Sequence, residues 1–326
     1  MKPLCTVLMR WLMAGMLMVT ASPAAAQSDY PVKPIRLISP FAAGGGNSIL
    51  ARIIGIKLTE SLGQQVIVDS RPGGNTIIGT EALVKASADG YTVLLVGGSH
   101  VMVPLLVPTP YDPIRDFASV ATIGKSEMLM VLGTAVAANS LKEFIALAKS
   151  KPGHLNYATY GSGSASHLAA ELFNNLAGTR TQHIPYKGAA PAITDLIGGH
   201  VQLFFSPIAS VIAPIRSDRL KAAAITGETR SSSLPQVPTF AEAGLPEFDM
   251  NMWYGVLAPA TTPTVIVDKL AAEIGKIMAM AETREKMAAQ GVEPFFFRRQ
   301  QFVALMKRDI EKYARVIKAA NIKMDL

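Results

Sequence analysis

Serine, glycine and histidine are concentrated in one stretch of this chain, Tyr160–His167, which reads YGSGSASH. Small residues at this density let backbone N–H groups at the start of a helix point towards a bound anion, whose charge the helix dipole favours. The serine hydroxyls could cap that helix or donate hydrogen bonds to a ligand. The stretch predicts an anion-binding loop. The alternative is that its glycines only form a tight turn between a strand and a helix.

The sequence motifs of hydrolases and dehydrogenases are incomplete. A nucleophile elbow needs Gly-x-Ser-x-Gly, and the nearest match, Gly97–Val101, lacks the last glycine. A dinucleotide fingerprint would need a third glycine where Ile49 stands. His167 is close to Ser162 in sequence, but its position at the start of a helix favours capping or packing. A secreted serine hydrolase with Ser99 or Ser162 as nucleophile stays open as the alternative, and a binding protein without catalysis is favoured.

Composition excludes several other classes of protein. The five histidines show no metal-ligand spacing, so neither a metal nor a cofactor is expected. The net charge is +7, but the basic residues are scattered, which argues against a nucleic-acid partner. The single cysteine, Cys5, lies near the N-terminus, so the rest of the chain has no thiol nucleophile and no disulfide. Binding of a small molecule is the function that remains.

The first 26 residues have the pattern of a secretory signal peptide. Lys2 and Arg10 supply positive charge, residues 11–20 are apolar, and residues 24–26 are a run of alanines that suits cleavage. A membrane anchor is the alternative, but the apolar run is short for a span. The pattern predicts a periplasmic protein secreted through a cleavable signal at residues 1–26.

Two strand–loop–helix units have the same design. One spans 155–173 and contains the anion-binding loop; the other spans 35–54, with a glycine-rich loop at 41–48. Strand and helix patterns alternate over 35–96, which predicts an α/β fold with mostly parallel sheets flanked by helices. Two such units suggest two half-sites that face each other across a cleft.

The order of the patterns predicts two domains. A proline-rich segment at 108–117 leads out of the first alternation, and residues 227–248, rich in Pro, Ser and Gly, lead back to it. We therefore expect a discontinuous first domain, residues 27–124 plus 228–326, and a second domain at 125–227.

Local signals predict several element starts. Ser140 and Glu143 form a capping box at the start of a helix, and Thr262 is expected to cap a helix whose first residue is Pro263. Ser99 is expected to end a strand of the first domain. Ser99 and Trp253, the latter on a strand near the domain junction, are second-tier candidates for the cleft.

Several long segments resemble the Bug/TctC-type periplasmic solute-binding proteins of tripartite tricarboxylate transport. They follow one another in the same order over most of the chain after residue 26. The segments are 30–46, 63–91, 111–117, 160–173, 183–199 and 234–246. The resemblance implies a two-lobed fold of the periplasmic binding-protein kind (type II-like), a ligand in the cleft between the lobes, hinge closure and no catalysis.

The resemblance also implies a ligand and partners. A small organic carboxylate would be held by backbone groups of the two loops, partly through ordered water. A monomeric protein would then deliver it to inner-membrane subunits of a tripartite transporter or to a sensor protein. The candidate ligand-binding residues are Phe41, Ala43, Gly44, Gly45, Asn47, Ser48, Ser99, Tyr160, Gly161, Ser162, Ser164, Ala165, His167 and Ser206.

Two candidates depart from the family pattern. Ser48 and Ser206 stand where the family often has aspartate, which could receive an amino or hydroxyl group of a ligand. Serine is smaller and uncharged. The hypothesis is that this protein does not select an amino-acid ammonium and prefers an uncharged or purely anionic distal group, such as that of a dicarboxylate or an aromatic carboxylate.

Overall fold

A computed structural model describes residues 30–41, 46–231, 233–250, 252–320 and 322. The predicted signal peptide at 1–26 lies outside the described residues. From Lys33 onwards the chain forms one compact unit, which contains two mixed sheets flanked by helices. The expected α/β fold with two lobes is confirmed.

The described strands and helices alternate over most of the chain. In chain order the strands are β1 (Ile35–Ser39), β2 (Val66–Ser70), β3 (Thr92–Gly97), β4 (Phe117–Ser126), β5 (Met128–Gly133), β6 (Asn156–Thr159), β7 (Gln182–Pro185), β8 (Leu203–Pro207), β9 (Leu220–Ile225), β10 (Met252–Pro259) and β11 (Glu293–Pro294). The α-helices are α1 (Gly46–Leu62), α2 (Ile77–Val84), α3 (Ser99–Leu106), α4 (Leu141–Ser150), α5 (Ala165–Ala177), α6 (Ala189–Ile197), α7 (Ile208–Arg216), α8 (Thr264–Ala279), α9 (Ala281–Ala288) and α10 (Arg299–Ala320).

Both sheets are mixed, whereas mostly parallel sheets were expected. The first has the order β11-β4-β10-β3-β1-β2, and the second β7-β6-β8-β5-β9. In each sheet the parallel pairs join strands that are separated by a crossover helix, β1 with β2 and β3 and β6 with β7 and β8. Strands β4, β5, β9 and β10 carry the chain between the sheets and pair antiparallel. The alternation of strand and helix patterns in the sequence predicts only the parallel pairs, because two parallel strands need a long crossover connection, usually a helix.

The chain crosses between the sheets at two adjacent places. Only Glu127 separates β4 from β5. The second crossing follows β9, where the hydroxyl of Thr226 accepts a hydrogen bond from the N–H of Met128 (2.9 Å) and its own N–H donates to the carbonyl of Met128 (2.9 Å). The two crossing segments therefore lie side by side. The domain boundaries near 124 and 227 stay a prediction.

The predicted helix start at Ser140 is present. Its hydroxyl accepts a hydrogen bond from the N–H of Glu143 (3.2 Å). The carboxylate of Glu143 reaches back one residue further than a capping box requires and accepts from the N–H of Asn139 (2.7 Å). The bond to Ser140 satisfies an N–H group that a helix start leaves without a partner, and the bond to Glu143 fixes the residue before the cap.

Two other element starts differ from the prediction. Pro263 is the cap and not the first helical residue, because its ψ of 134° is extended; helix α8 begins at Thr264. Ser99 does not end a strand, because β3 ends at Gly97 and Ser99 is the first residue of α3. That helix contains β-branched residues and a proline, so its sequence has no clear helical pattern.

The long C-terminal helix joins the helical layers of both sheets. Helix α10 packs against α3, which follows β3 of the first sheet, and against α5, which follows β6 of the second. Its Tyr313 is almost fully buried in the main hydrophobic cluster, which draws residues from both sheets. This helix therefore positions residues of both lobes around one site.

Candidate functional site

A cavity of about 460 Å³ lies where strands of both sheets end. Residues just after the carboxyl ends of β1, β3 and β6 line it. In α/β sheets, ligands bind outside the carboxyl ends of parallel strands, at the starts of the helices that follow. The cavity wall thus includes Phe41 of the first predicted loop and residues 160–165 of the second, and residues 42–45 lie outside the described residues.

The glycine-serine loop before α5 forms one wall, and its serines have different roles. Ser164 is the cap of α5: its hydroxyl donates to the carbonyl of Gly161 (2.6 Å) and accepts from the N–H of His167 (3.4 Å). The hydroxyl of Ser166 is fully buried and accepts from the N–H of Tyr160 (3.1 Å). These two hydroxyls hold the loop in shape.

Ser162 is the serine of this loop whose hydroxyl and N–H are not used within the loop. In the described part of the chain neither its hydroxyl nor its N–H has a hydrogen-bond partner, and the same is true of the N–H of Ala165. Both residues line the cavity, Ala165 as the first residue of α5. The loop therefore presents two backbone donors and one hydroxyl at the positive end of a helix dipole.

His167 lies behind the loop and not on the cavity wall. Its Nδ1 accepts a hydrogen bond from the N–H of Gly163 (3.1 Å), and its ring stacks on that of His183 with 3.9 Å between ring centroids. Burial, with a smaller contribution from His183, lowers the pKa of His167 to about 4. The imidazole is therefore neutral near pH 7, and an acceptor at Nδ1 is compatible with this state.

A second wall is formed by Gly97, Gly98 and Ser99 at the start of α3. The carbonyl of Gly98 accepts from the N–H groups of Val101 and Met102 (3.2 Å each). Ser99 lines the cavity, and among the described residues neither its hydroxyl nor its N–H has a partner. A second helix start thus presents donors to the same space.

A third wall comes from the turn before α2. Asn75 and Thr76, which line the cavity, have left-handed backbones with φ of 50° and 82°. Such a conformation costs a β-branched residue such as Thr76 about 1–3 kcal/mol. The hydroxyl of Thr76 is buried and lacks a partner within the described residues. Strain and an unused polar group together single out this turn as part of the site.

The predicted site residues divide into three groups. Those that line the cavity are Phe41, Ser99, Tyr160, Gly161, Ser162, Ser164 and Ala165. Those outside its lining are Ser48, His167 and Ser206. Ala43, Gly44 and Gly45 lie outside the described residues, and Asn47 is described only as a backbone position in α1.

The two serines that depart from the family pattern are buried and are not among the described residues that line the cavity. Ser206 is fully buried on β8, which lies between β6 and β5 inside the second sheet, and its hydroxyl donates to the carbonyl of Pro207 (3.3 Å). Ser48 is buried in the first turn of α1. The second-tier candidate Trp253 is also buried outside the cavity lining, and its Nε1 donates to Asp309 (2.8 Å).

Sequence reasoning missed the rest of the cavity wall. These residues come from the turn before α2, from α3, from the segment before β10, from β10 itself and from α10. They include Gly73, Asn75, Thr76, Met102, Val103, Met250, Met252, Tyr254 and Tyr313. Among the described lining residues there is no Asp, Glu, Lys, Arg or His. No spacing in the sequence links these positions, so only the tertiary fold reveals them.

The comparison with protein families decides what kind of protein this is. The model of the TctC family, described as "Tripartite tricarboxylate transporter family receptor", matches residues 50–322. The chain belongs to the TctC family. Proteins of this family are periplasmic solute-binding proteins, so this chain is a solute-binding protein and not an enzyme.

Three relatives illustrate the likeness. Protein BugT of Bordetella pertussis (strain Tohama I) is 36% identical over 315 residues, covering 95% of this chain and 97% of that protein. The structure titled "R. palustris Rpa4515 with adipate" has a TM-score of 0.79 at 30% identity and covers 91% of this chain and 100% of that one. MatC (Rpa3494) from Rhodopseudomonas palustris with bound malate has a TM-score of 0.74 at 28% identity, covering 88% and 100%.

The hydrolase alternative has no support in this TctC protein. His167 uses Nδ1 to accept from Gly163 and is not part of the cavity wall with Ser162. His100, next to Ser99, is buried and donates from Nε2 to the carbonyl of Pro113 (2.9 Å). Its pKa falls to about 4, because burial disfavours the charged ring. Each of these two histidines thus has a structural role.

None of the helices in the described ranges is long and apolar enough to span a bilayer.

Proposed function

We propose that this TctC protein captures a small organic carboxylate in the cavity lined by Ser99 and Ser162. The observation that carries the proposal is the set of spare donors at two helix starts: the N–H and hydroxyl of each of these serines and the N–H of Ala165. A carboxylate has acceptor oxygens only and one negative charge, which helix N-termini favour. Adipate and malate, bound by the two structural relatives, are both carboxylates.

The proposal includes how the ligand is enclosed. Ser162 and Ala165 follow β6 of the second sheet, whereas Ser99 follows β3 of the first, so one carboxylate would join the two lobes. We propose lobes of residues 27–124 plus 228–326 and of 125–227, with Glu127 and Thr226 at the hinge. Binding proteins of this kind close by hinge rotation around the ligand.

The setting of this capture is the periplasm. We propose that residues 1–26 direct secretion and are removed, and that the monomeric protein hands its ligand to inner-membrane subunits of a tripartite transporter or presents it to a sensor. Cell fractionation of the full chain and of a chain lacking residues 1–26 tests this: only the full chain should appear in the periplasmic fraction.

Calorimetric titration of the purified protein tests the ligand class. The probes are malate, adipate, citrate, hexanoate and benzoate, with alanine amide and glucose as non-carboxylate controls. We expect at least one carboxylate to bind and the controls not to bind. Binding should weaken about tenfold in Ser162→Ala, which removes one hydrogen bond to a charged group. The proposal would be overturned if a control probe bound and none of the carboxylates did.

A further inference from the structure

Part of the cavity wall is apolar. Three methionines line the cavity: Met102 from α3, Met250 from the segment before β10, and Met252 from the first position of β10. We call these three residues the methionine wall. The sulfur of Met102 lies only 3.8 Å from where a Cβ at Gly98 would stand, so this side chain reaches the start of its own helix. Methionine is flexible and polarisable, and it packs well against apolar groups of irregular shape.

Aromatic rings extend this wall. Tyr254 lies beside the start of α3, because its ring is 3.5 Å from a Cβ position at Gly97. Tyr160 and Tyr313 line the cavity from the glycine-serine loop and from α10. Burial raises the pKa of Tyr254 to about 12 and also raises the pKa values of the other two tyrosines, so all three are neutral. They offer ring faces and hydroxyl groups but no charge.

A second carboxylate would find no positive side chain among the described residues that line the cavity. That lining contains no Lys, Arg or His. The starts of α3 and α5, where the spare backbone donors lie, each supply about half a positive charge and together balance about one carboxylate. The turn before α2 adds the hydroxyl of Thr76 but no cationic side chain. A second ionised group placed against the methionine wall would lose its hydration without gaining a cation.

On the basis of the carboxylate site proposed above, we propose that the ligand is a monocarboxylate with an apolar body, a hydrocarbon chain or ring that packs against Met102, Met250 and Met252. Its single carboxylate accepts hydrogen bonds at the helix starts of α3 and α5. This class differs from the two dicarboxylates bound by the structural relatives.

Two matched pairs of probes test the proposal by calorimetric titration of the wild-type protein. Hexanoate and adipate have the same carbon skeleton, and so do 4-methylbenzoate and terephthalate; in each pair only the second compound has another carboxylate. We expect the monocarboxylate of at least one pair to bind about tenfold or more tightly than its partner. Tighter binding of both dicarboxylates would overturn this inference and leave the proposed function standing. Binding of no carboxylate would overturn both.

A charge placed in the wall gives a second test. Met252→Lys adds a cation beside the apolar body, and Met280→Lys makes the same change at an exposed methionine between α8 and α9, outside the cavity. We expect the affinity ratio of adipate to hexanoate to rise about tenfold in Met252→Lys and to stay unchanged in Met280→Lys. The same ratio in both variants would overturn the placement of the ligand body at Met252. Should Met252→Lys not fold, Met102→Leu, which keeps the wall apolar, should retain the preference for hexanoate.

Discussion

The backbone N–H of Gly163 donates a hydrogen bond to Nδ1 of His167, four residues later, over 3.1 Å. This bond closes the glycine-serine loop onto the first turn of α5. Because the N–H of Gly163 already donates to His167, it cannot donate to a ligand. The N–H groups of Ser162 and Ala165 have no partner in the described part of the chain and can still donate to one. The histidine therefore decides which backbone donors of the loop a carboxylate can use.

Removal of this acceptor should weaken both the fold and the site. In His167→Leu the N–H of Gly163 loses its buried partner, which costs about 1–3 kcal/mol of unfolding free energy. We also expect weaker carboxylate binding, because the loop is no longer held in one conformation. Urea denaturation and calorimetric titration measure the two effects. His154→Leu, at an exposed position, is the control and should change neither. Unchanged binding in His167→Leu would show that the loop keeps its shape without the histidine.

The two serines of the loop should separate binding from stability. Ser164→Ala removes the cap of α5 and should lower the unfolding free energy by about 1 kcal/mol. Ser162→Ala removes a hydroxyl that has no partner in the described chain, so stability should stay within about 0.5 kcal/mol while affinity for the carboxylate falls about tenfold. Thermal denaturation without ligand and titration with ligand check each variant. If Ser162→Ala is less stable than Ser164→Ala, the roles assigned to the two hydroxyl groups are wrong.

Glu127, at the first crossing between the lobes, should make stability depend on pH. Burial, with a smaller contribution from Glu293, raises its pKa from 4.5 to about 7, and a Cβ at Gly227 on the second crossing would collide with its carboxyl group. The pKa of Glu127 is higher in the folded state than in the unfolded state, so protonation of this carboxyl group stabilises the fold. This stabilisation is complete below about pH 4.5 and is lost as the pH rises through about 7.

Glu127→Gln keeps the neutral form at every pH. It should therefore be more stable than wild type at pH 8, by about 3 kcal/mol for a pKa shift of this size, and equal to it near pH 4.5. Thermal denaturation across this pH range measures the difference. Glu247→Gln, at an exposed position, should show no such pH dependence. A constant difference between Glu127→Gln and wild type at all pH values would contradict the prediction.

Trp253 is held by a buried carboxylate that also pairs with a lysine. Its Nε1 donates to Asp309 (2.8 Å), and the other carboxylate oxygen of Asp309 lies 3.1 Å from Nζ of Lys312. Asp309→Ala leaves a buried indole N–H and a largely buried lysine without this partner, which should cost about 3–5 kcal/mol. Asp268→Ala, at an exposed carboxylate, should cost less than about 0.5 kcal/mol. Urea denaturation compares the two.

The same tryptophan gives an optical signal for the site. The chain has two tryptophans, Trp11 in the predicted signal peptide and Trp253 between the cavity residues Met252 and Tyr254. We expect a carboxylate that binds to shift the emission of Trp253. A calorimetric titration that shows binding without any fluorescence change would place the ligand away from this part of β10.

Local sequence patterns were sufficient for much of the fold. The predicted helix after the loop at 160–167 is present because apolar residues such as Leu168 and Phe173 recur at helical spacing and pack into the core. The start at Ser140 was predictable for the same kind of reason, since a cap depends on groups three residues apart. Helix α3 was not predictable, because its residues have no helical pattern and its conformation depends on packing against α10.

The sequence by itself determined which loop could hold an anion and which family the chain resembles, because glycines, serines and helix starts are local features. It did not separate Ser162 from Ser164: the hydroxyl of Ser164 caps α5, whereas that of Ser162 has no partner in the described part of the chain. It also named Ser48 and Ser206 as site residues; both are buried, and neither is among the described residues that line the cavity. Only the tertiary structure brought Met102, Met252 and Tyr313 to the same cavity, because contacts between residues so far apart in the chain depend on how the sheets and α10 pack.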